Sequence, residues 1–277
     1  MAGNLQQTKP RLKKHLFSEL LSAAFRNNQE SEYLTELKNA GFAIDEACYR
    51  IVVLQLPLEE IRDKAILEMS NETEEIIYMC TLPNSGNIVF LLGNNKDGGK
   101  TVFSGWQKKY DWMNQARVGV GDKVDSILKI SLSYSQACAA LDYAVMSSDS
   151  GTVVYYDELP DSLFRIHNYP LELIESLAFA VRMDKVDDVG KIMYQIEYMI
   201  QMKELPPYYV RALFYNVVSI FLEKNEKMET EDKNESDIVH FFSQQLSAIQ
   251  MTDILSELYQ NFREKTDSFT PKENEWM

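Results

Sequence analysis

The sequence predicts an α+β domain followed by an all-α region. Between residues 46 and 160, segments rich in branched and aromatic residues alternate with segments whose apolar residues recur at helical spacing. From Pro170 onward the apolar pattern is helical throughout. We therefore divide the chain into an N-terminal helical segment, residues 1–45, an α+β domain, residues 46–160, and a helical region, residues 161–277.

The composition excludes several classes of protein. Of the 277 residues, 45% are hydrophobic, which is enough to bury a sizeable core, but no apolar run is long enough to cross a membrane. The net charge of -14 would repel a phosphate backbone, so we expect no direct binding of nucleic acid. Cys48, Cys80 and Cys138 are odd in number and have apolar neighbours. They indicate reduced thiols in a cytoplasmic protein.

Two amphipathic helices are predicted before the first strand. In residues 11–25, Leu12, Leu16 and Leu20 recur at helical spacing after a basic start. The second helix covers about residues 31–40 and ends at Gly41, because glycine readily takes the left-handed conformation that closes a helix.

The α+β domain is predicted to have the element order βαββαβ. The segments are a strand at 49–56, a helix from Pro57 to Met69, strands at 75–81 and 87–92, a helix from about 102 to 113 and a strand at 117–121. The turn Leu82–Gly86 contains Pro, Asn and Gly, so the second and third strands should form an antiparallel hairpin. Right-handed crossovers place both helices on one face of an antiparallel sheet, as in a ferredoxin-like sandwich.

One further αβ unit and a set of helices complete the chain. Residues 127–146 carry a broad apolar stripe, and residues 152–156 form a last strand that ends the domain near Leu159. The later helices are expected at 171–182, 186–203 and 208–224, followed by a charged linker at 223–236 and by one or two helices over 237–249 and 253–265.

Candidate catalytic and metal-binding residues do not form a recognisable pattern. The three histidines, His15, His167 and His240, lack the spacing of metal ligands. The run Val118–Gly121 lacks the third glycine of a dinucleotide fingerprint, so a strand end that turns into a loop explains it better. The polar loop 94–100 could hold an anion through backbone amides or simply connect two elements. We therefore expect no catalytic residue, no metal and no cofactor.

Five tyrosines in the helical region form the candidate surface for a ligand or a partner. They are Tyr194, Tyr198, Tyr208, Tyr209 and Tyr215. Core packing is the commoner role of aromatic residues at helical spacing, and a partner-helix interface or a ligand pocket is the alternative.

Residues 117–159 resemble a known family. The stretches that carry the resemblance are Val118–Gly121, Ser133–Leu141 and Val153–Leu159. They are similar to the pattern GIG…SY.EA..AL…..I..YDEL of AraC-type (YesN/CdaR-like) bacterial transcription regulators. The resemblance implies a degenerate GGDEF-like domain between a sensor and a C-terminal helix-turn-helix pair, and the helices around residues 173–199 are loosely similar as well.

The resemblance implies a regulatory region without catalysis. A diguanylate cyclase carries carboxylates at the hairpin, where this chain has Pro83–Gly86, and no helix-turn-helix is recognisable before Met277. We expect a homodimeric relay between an upstream sensor or receiver and a DNA-binding domain outside this chain. The parent protein could be anchored in a membrane. The alternatives are a sensor for a small-molecule effector and a residual nucleotide-acting enzyme.

Overall fold

The computed structural model describes residues 3–22, 30–70, 76–82, 85–93, 100–147, 151–164, 169–202, 205–226 and 246–269. The chain forms two compact units, one of Met1–Ala144 with Asp149–Leu159 and one of Val145–Ser148 with Pro160–Met277. Within the described ranges, no helix is both long enough and apolar enough to cross a bilayer.

The first unit contains a five-stranded sheet and five helices in its described part. In chain order these are α1 (Gly3–Ser22), α2 (Glu30–Ala40), β1 (Tyr49–Gln55), α3 (Glu59–Met69), β2 (Ile76–Thr81), β3 (Ile88–Gly93), α4 (Lys100–Lys109), β4 (Arg117–Val120), α5 (Ile130–Met146) and β5 (Thr152–Tyr155). The predicted βαββαβ order and the added αβ unit are confirmed. The predicted loop at 94–99 lies outside the described residues.

The strands are arranged in the order β2-β3-β1-β4-β5. The predicted hairpin is confirmed, since β2 pairs with β3 in antiparallel orientation. Strand β1 pairs antiparallel with β3 and β4, whereas β4 and β5 are parallel. The sheet is therefore mixed and not purely antiparallel, because α5 carries the chain back along the sheet before β5 begins.

Helices α3 and α4 cover one face of the sheet. Val52 and Leu54 of β1 pack with Met69 of α3 and with Phe103 and Trp106 of α4 in one buried cluster. The two crossover helices thus lie on the same face, as the right-handed connection requires.

Helices α1 and α5 cover the opposite face. Phe17 of α1 is fully buried and meets the ring of Tyr78 with a centroid separation of 4.8 Å. Gly119 of β4 faces α5, while its neighbours Val118 and Val120 face the cluster below α3 and α4. The expectation that helices lie on one face only is therefore wrong, because α1 and α5 bury the second apolar face of the same strands.

The N-terminal helices are part of this unit. Helix α2 ends at Gly41, whose φ of 87° is the left-handed conformation predicted for that residue. Lys13 of α1 donates a hydrogen bond to the Gly41 carbonyl oxygen at 3.1 Å and lies over the rings of Phe42 and Tyr78. One residue of the basic start thus fixes α1 to the sheet by hydrogen bonding and cation–π contact.

The second unit is helical in its described part. Its helices are α6 (Leu171–Arg182), α7 (Val186–Gln201), α8 (Pro207–Glu226) and α9 (Ala248–Phe269). Their buried faces share one core that includes Leu177, Ile196, Phe214 and Leu255. The predicted helices at 171–182, 186–203 and 208–224 are confirmed within two or three residues at their ends.

Helix α9 is continuous from Ala248 to Phe269, so the segment predicted as one or two helices at 237–249 and 253–265 has no interruption between residues 249 and 253. Ser247 and Gln250 form a capping box: the Gln250 N–H donates to Ser247 Oγ, and the Ser247 N–H donates to Gln250 Oε1 at 3.0 Å. This pair starts a helix at Ala248, and the apolar period then continues through residues 249–253. Residues 246 and 247 precede the helix, so the predicted segment 237–249 is helical only from Ala248 in its described part. Residues 227–245, which include the rest of that segment and most of the linker, lie outside the described residues.

Candidate functional site

The hairpin of β2 and β3 closes through a turn from Leu82 to Asn87. The Leu82 N–H donates to the Asn87 carbonyl oxygen at 2.9 Å, and the Gly86 N–H donates to the Leu82 carbonyl oxygen at 3.0 Å. Gly86 has a φ of 68°, so the turn uses its conformational freedom. The sequence from Leu82 to Asn87 contains no carboxylate.

A guanidinium group lies against this turn. A side chain at Gly86 would overlap Nη1 of Arg62 from α3. Arg62 also forms an ion pair with Glu59 one helical turn earlier. The turn therefore has a cation beside it, held in place by its own counter-ion.

A second polar cluster lies at the other end of the sheet, where β4 ends. The Asp122 N–H donates to Gln136 Oε1 at 3.1 Å, and Gln136 Nε2 donates back to Asp122 Oδ2 at 2.9 Å. Ser133 is fully buried; its hydroxyl donates to the Asp122 carbonyl oxygen at 2.7 Å and accepts from the Ile51 N–H at 2.9 Å. One serine thus joins α5 to both β1 and the end of β4.

The charges around Asp122 oppose its ionisation. Burial raises the pKa of Asp122, the nearby Asp157 raises it further, and Arg50 together with the Gln136 hydrogen bond offsets part of this rise. Arg50 is buried, and its burial lowers the pKa of the guanidinium although Asp157 and Asp122 attract it. The cluster combines one buried cation with two carboxylates that already compensate its charge, a combination typical of a structural network.

Sequence reasoning gave no role to the members of this cluster. Arg50 was taken as part of a buried strand, although a charged residue within such an apolar run was itself a signal. Asp122 lies two residues after the end of β4 and Asp157 two residues after the end of β5, and the carboxyl ends of adjacent parallel strands lie together. Ser133 and Gln136 were noticed only within the family-like motif.

The motif glycines have a packing role. A side chain at Gly119 would overlap the carbonyl oxygen of Ala137, and one at Gly121 would overlap Ser133. Gly119 and Gly121 are therefore the points of close contact between the end of β4 and α5, and the chain leaves the sheet after Val120, as expected for a strand end that turns into a loop.

The five candidate tyrosines do not form one surface. Tyr194 and Tyr198 lie four residues apart on α7 and are 71% and 52% exposed. Tyr208 is exposed at the start of α8, next to Tyr209, which also packs against the ring of Tyr169. Tyr215 is half-buried against the helical core.

Two open depressions lie around the start of α7. The first, about 630 Å³, lies between α6 and α7 and is bordered by Phe179 and Lys191. The second, about 750 Å³, lies between α7 and α9 and is bordered by Asp184, Tyr259 and Arg263. Both are lined largely by charged side chains and are open to solvent.

The histidines and cysteines form no catalytic or metal-binding cluster in the described part of the chain. His15 is exposed on α1 beside Glu19, and His167 and His240 lie outside the described residues. Burial raises the pKa of the Cys80 thiol to about 11, so this group is a poor nucleophile near neutral pH. Within the described part of the chain, no three His, Cys, Asp or Glu side chains are grouped closely enough to hold a metal ion.

Comparison with known proteins gives no assignment, since no family model matches the chain and no curated protein has significant similarity to it.

Proposed function

We propose that this chain is the non-catalytic relay region of an AraC-type transcription regulator. In this proposal a degenerate GGDEF-like domain and a helical output region couple an upstream sensor or receiver to a helix-turn-helix domain encoded outside residues 1–277. The observation that carries the proposal is the cation at the hairpin turn, where a cyclase of this fold would place its carboxylates.

The electrostatics of the turn support a role without metal-assisted phosphoryl transfer. Such transfer requires carboxylates that hold a divalent cation beside the phosphates. Here the guanidinium of Arg62, paired with Glu59, lies against Gly86, and the turn itself offers no carboxylate to hold a divalent ion. The guanidinium of Arg62 occupies the space that a side chain at residue 86 would need, so α3 and the turn pack closely against each other.

The sheet topology supports the fold assignment within the proposal. The order β2-β3-β1-β4 with α3 and α4 on one face is the arrangement expected for a ferredoxin-like or GGDEF-like sandwich. Strand β5 and helix α5 extend it, and the motif residues Gly119, Gly121 and Ser133 join that extension to the sheet.

The proposed mechanism is a shift between two packings of the helical region. An upstream signal would change the relative population of these packings, and the DNA-binding domain would respond to that change. Helix α1 is the natural point of input by its place in the chain, and α6–α9 are the output. The protein would act in the cytoplasm.

Incubation of the chain with GTP and Mg²⁺ tests the absence of catalysis. We expect no pyrophosphate and no cyclic dinucleotide above the level without protein. Turnover by the unmodified chain that disappears in a Glu59→Gln variant would contradict the proposal, because it would place a residual active site at this turn.

A small-molecule sensor is the second candidate function, favoured by the depression between α7 and α9. Asp184, Asp267 and Arg263 offer both signs of charge there, which suits a zwitterionic or phosphorylated metabolite. A thermal-shift screen with amino acids, nucleotides and cyclic dinucleotides tests it. Stabilisation that an Arg263→Gln variant abolishes would support a sensor, and no shift with any of these compounds would contradict it.

A further inference from the structure

Helices α6 and α7 present an apolar face away from their core. The two helices form an antiparallel hairpin because a turn of three residues, Met183 to Lys185, joins them and they pack along their length. Six large apolar side chains on this hairpin are exposed, one of which is Leu171 at the first residue of α6. The other five we call the α6–α7 outer face: Phe179, Met183, Tyr194, Tyr198 and Met202.

The stripe on α7 is opposite the buried side of that helix. Tyr194, Tyr198 and Met202 follow one another at intervals of four residues, so they lie on one side of the helix. The residues of α7 that enter the core occupy the other side and are Val189, Met193, Ile196 and Ile200. Helix α7 is therefore apolar on two opposite sides, of which only one is covered.

The area of this face is at the upper end of what the surface of a monomer usually exposes as one apolar patch. Its five members are 46% to 71% exposed. Side chains of this size bury roughly 200 Å² each, so the exposed part amounts to about 600 Å². The largest apolar patch of a typical monomer is about 300–600 Å², and a stable interface buries about 800 Å² on each partner. The face with its polar border thus has the size of half a dimer interface.

The charges at the border of the face nearly cancel. Glu172, Glu175 and Asp188 lie beside Lys185 and Lys191 in the groove between the two helices. Lys191 also pairs with Asp188 at 3.7 Å. Two copies can therefore approach here with little repulsion, although each chain carries a net charge of -14.

We propose that the α6–α7 outer face binds the same face of a second copy of this chain. A two-fold axis in the plane of the interface pairs hairpin with hairpin and makes a four-helix contact with the aromatic and methionine side chains at its centre. This inference rests on the proposed regulatory function and adds a surface to it. The surface is the one through which the helical regions of two copies would contact each other.

Sedimentation velocity of the full chain tests this interface. We expect a species of twice the 32.0 kDa chain mass that dissociates on dilution. Tyr194→Lys with Tyr198→Lys places four like charges in the contact and should weaken the dimer by roughly a hundredfold or more. Leu67→Lys with Leu132→Lys is the matched control, because these side chains are 70% and 56% exposed on α3 and α5, which do not contribute to the face, and it should leave the dimer unchanged.

A second pair of substitutions tests the same interface from the α6 side, so the result does not depend on changes in α7 alone. Phe179→Lys with Met183→Lys alters only α6 and should also give a monomer, with far-UV circular dichroism equal to that of the unmodified chain. A monomer without any substitution, or a dimer that survives both pairs, would overturn the interface. Neither outcome bears on GTP turnover, so the failure of this inference is distinguishable from failure of the proposed function.

Discussion

Gly119 of β4 lies directly beneath the carbonyl oxygen of Ala137 in α5. A Cβ at Gly119 would also lie 2.8 Å from Cα of Leu141, so the helix backbone itself fills the space that a side chain would need. Backbone atoms in a buried helix cannot move aside as the end of a flexible side chain can. The contact of α5 with the sheet therefore requires glycine at this position.

Gly119→Ala is expected to destabilise the first unit by about 3 kcal/mol, because the added methyl group must push α5 away from β4. Urea unfolding followed by tryptophan fluorescence measures the effect, since Trp106 and Trp112 are buried in this unit. Gly105→Ala is the control: nothing lies within 4 Å of its Cβ position in α4. It should stabilise the unit by about 0.5–1 kcal/mol through helix propensity. Equal free energies of unfolding for the two variants would contradict this packing.

Ser133→Ala removes a hydroxyl that both donates and accepts. The Ile51 N–H and the Asp122 carbonyl oxygen would then lose their partner in a buried position. An unsatisfied buried group costs about 1–3 kcal/mol, so we expect a loss of about 2 kcal/mol in the free energy of unfolding. Ser135→Ala, whose hydroxyl is exposed and bonds only to the Leu132 carbonyl oxygen, should change it by less than about 0.5 kcal/mol. A similar loss in both variants would contradict the special role of Ser133.

Asp122 should make the stability of the first unit depend on pH. Its pKa is raised in the folded state, so the folded protein holds this proton over a range that begins near the ordinary value of 3.8 and extends upward. Within that range the folded state binds more protons than the unfolded state, and stability falls as pH rises.

Asp122→Asn tests this dependence because the amide oxygen can still accept from Gln136. The stability of the variant relative to the unmodified chain should increase as pH rises from about 4 to neutral. Asp125→Asn should behave in the opposite way, since Lys129 lowers the pKa of the exposed Asp125 by a hydrogen bond and by its charge. Parallel pH profiles for the two variants would contradict the assigned environments.

Asp184 closes α6 in a left-handed conformation, with a φ of 53°, and forms an ion pair with Lys224 at 2.8 Å. Asp184→Gly and Asp184→Ala both remove the carboxylate, but only glycine takes this conformation without strain. We expect the glycine variant to be more stable than the alanine variant by about 1 kcal/mol. Thermal unfolding followed by far-UV circular dichroism measures the difference, and equal midpoints would contradict the strain.

Much of the fold was predictable because its signals are local. Gly41 ends α2 through its own backbone preference, and the Pro, Asn and Gly of the 82–86 turn favour a hairpin whatever surrounds them. The sequence analysis left open whether residues 237–265 form one helix or two, whereas the Ser247 and Gln250 capping box places a helix start at Ala248. That signal was also local and could have been read.

The candidate sites depend on contacts between distant residues, and sequence reasoning missed them for that reason. Ser133 and Ile51 are 82 residues apart, and no sequence pattern in either segment predicts the hydrogen bond between them. Arg62 and Gly86 likewise meet only because α3 packs beside the hairpin. The tyrosines were grouped by proximity in sequence, whereas exposure separates Tyr194 and Tyr198 from the core-packed Tyr215.

The coding sequence that flanks this chain tests the proposed relay role most directly. Sequencing the locus in frame beyond Met277 should reveal two helix-turn-helix units with a basic recognition surface, and a sensor or receiver should precede Met1. A stop codon directly after Met277 without any DNA-binding domain in the same reading frame would contradict the account, as would a downstream catalytic domain.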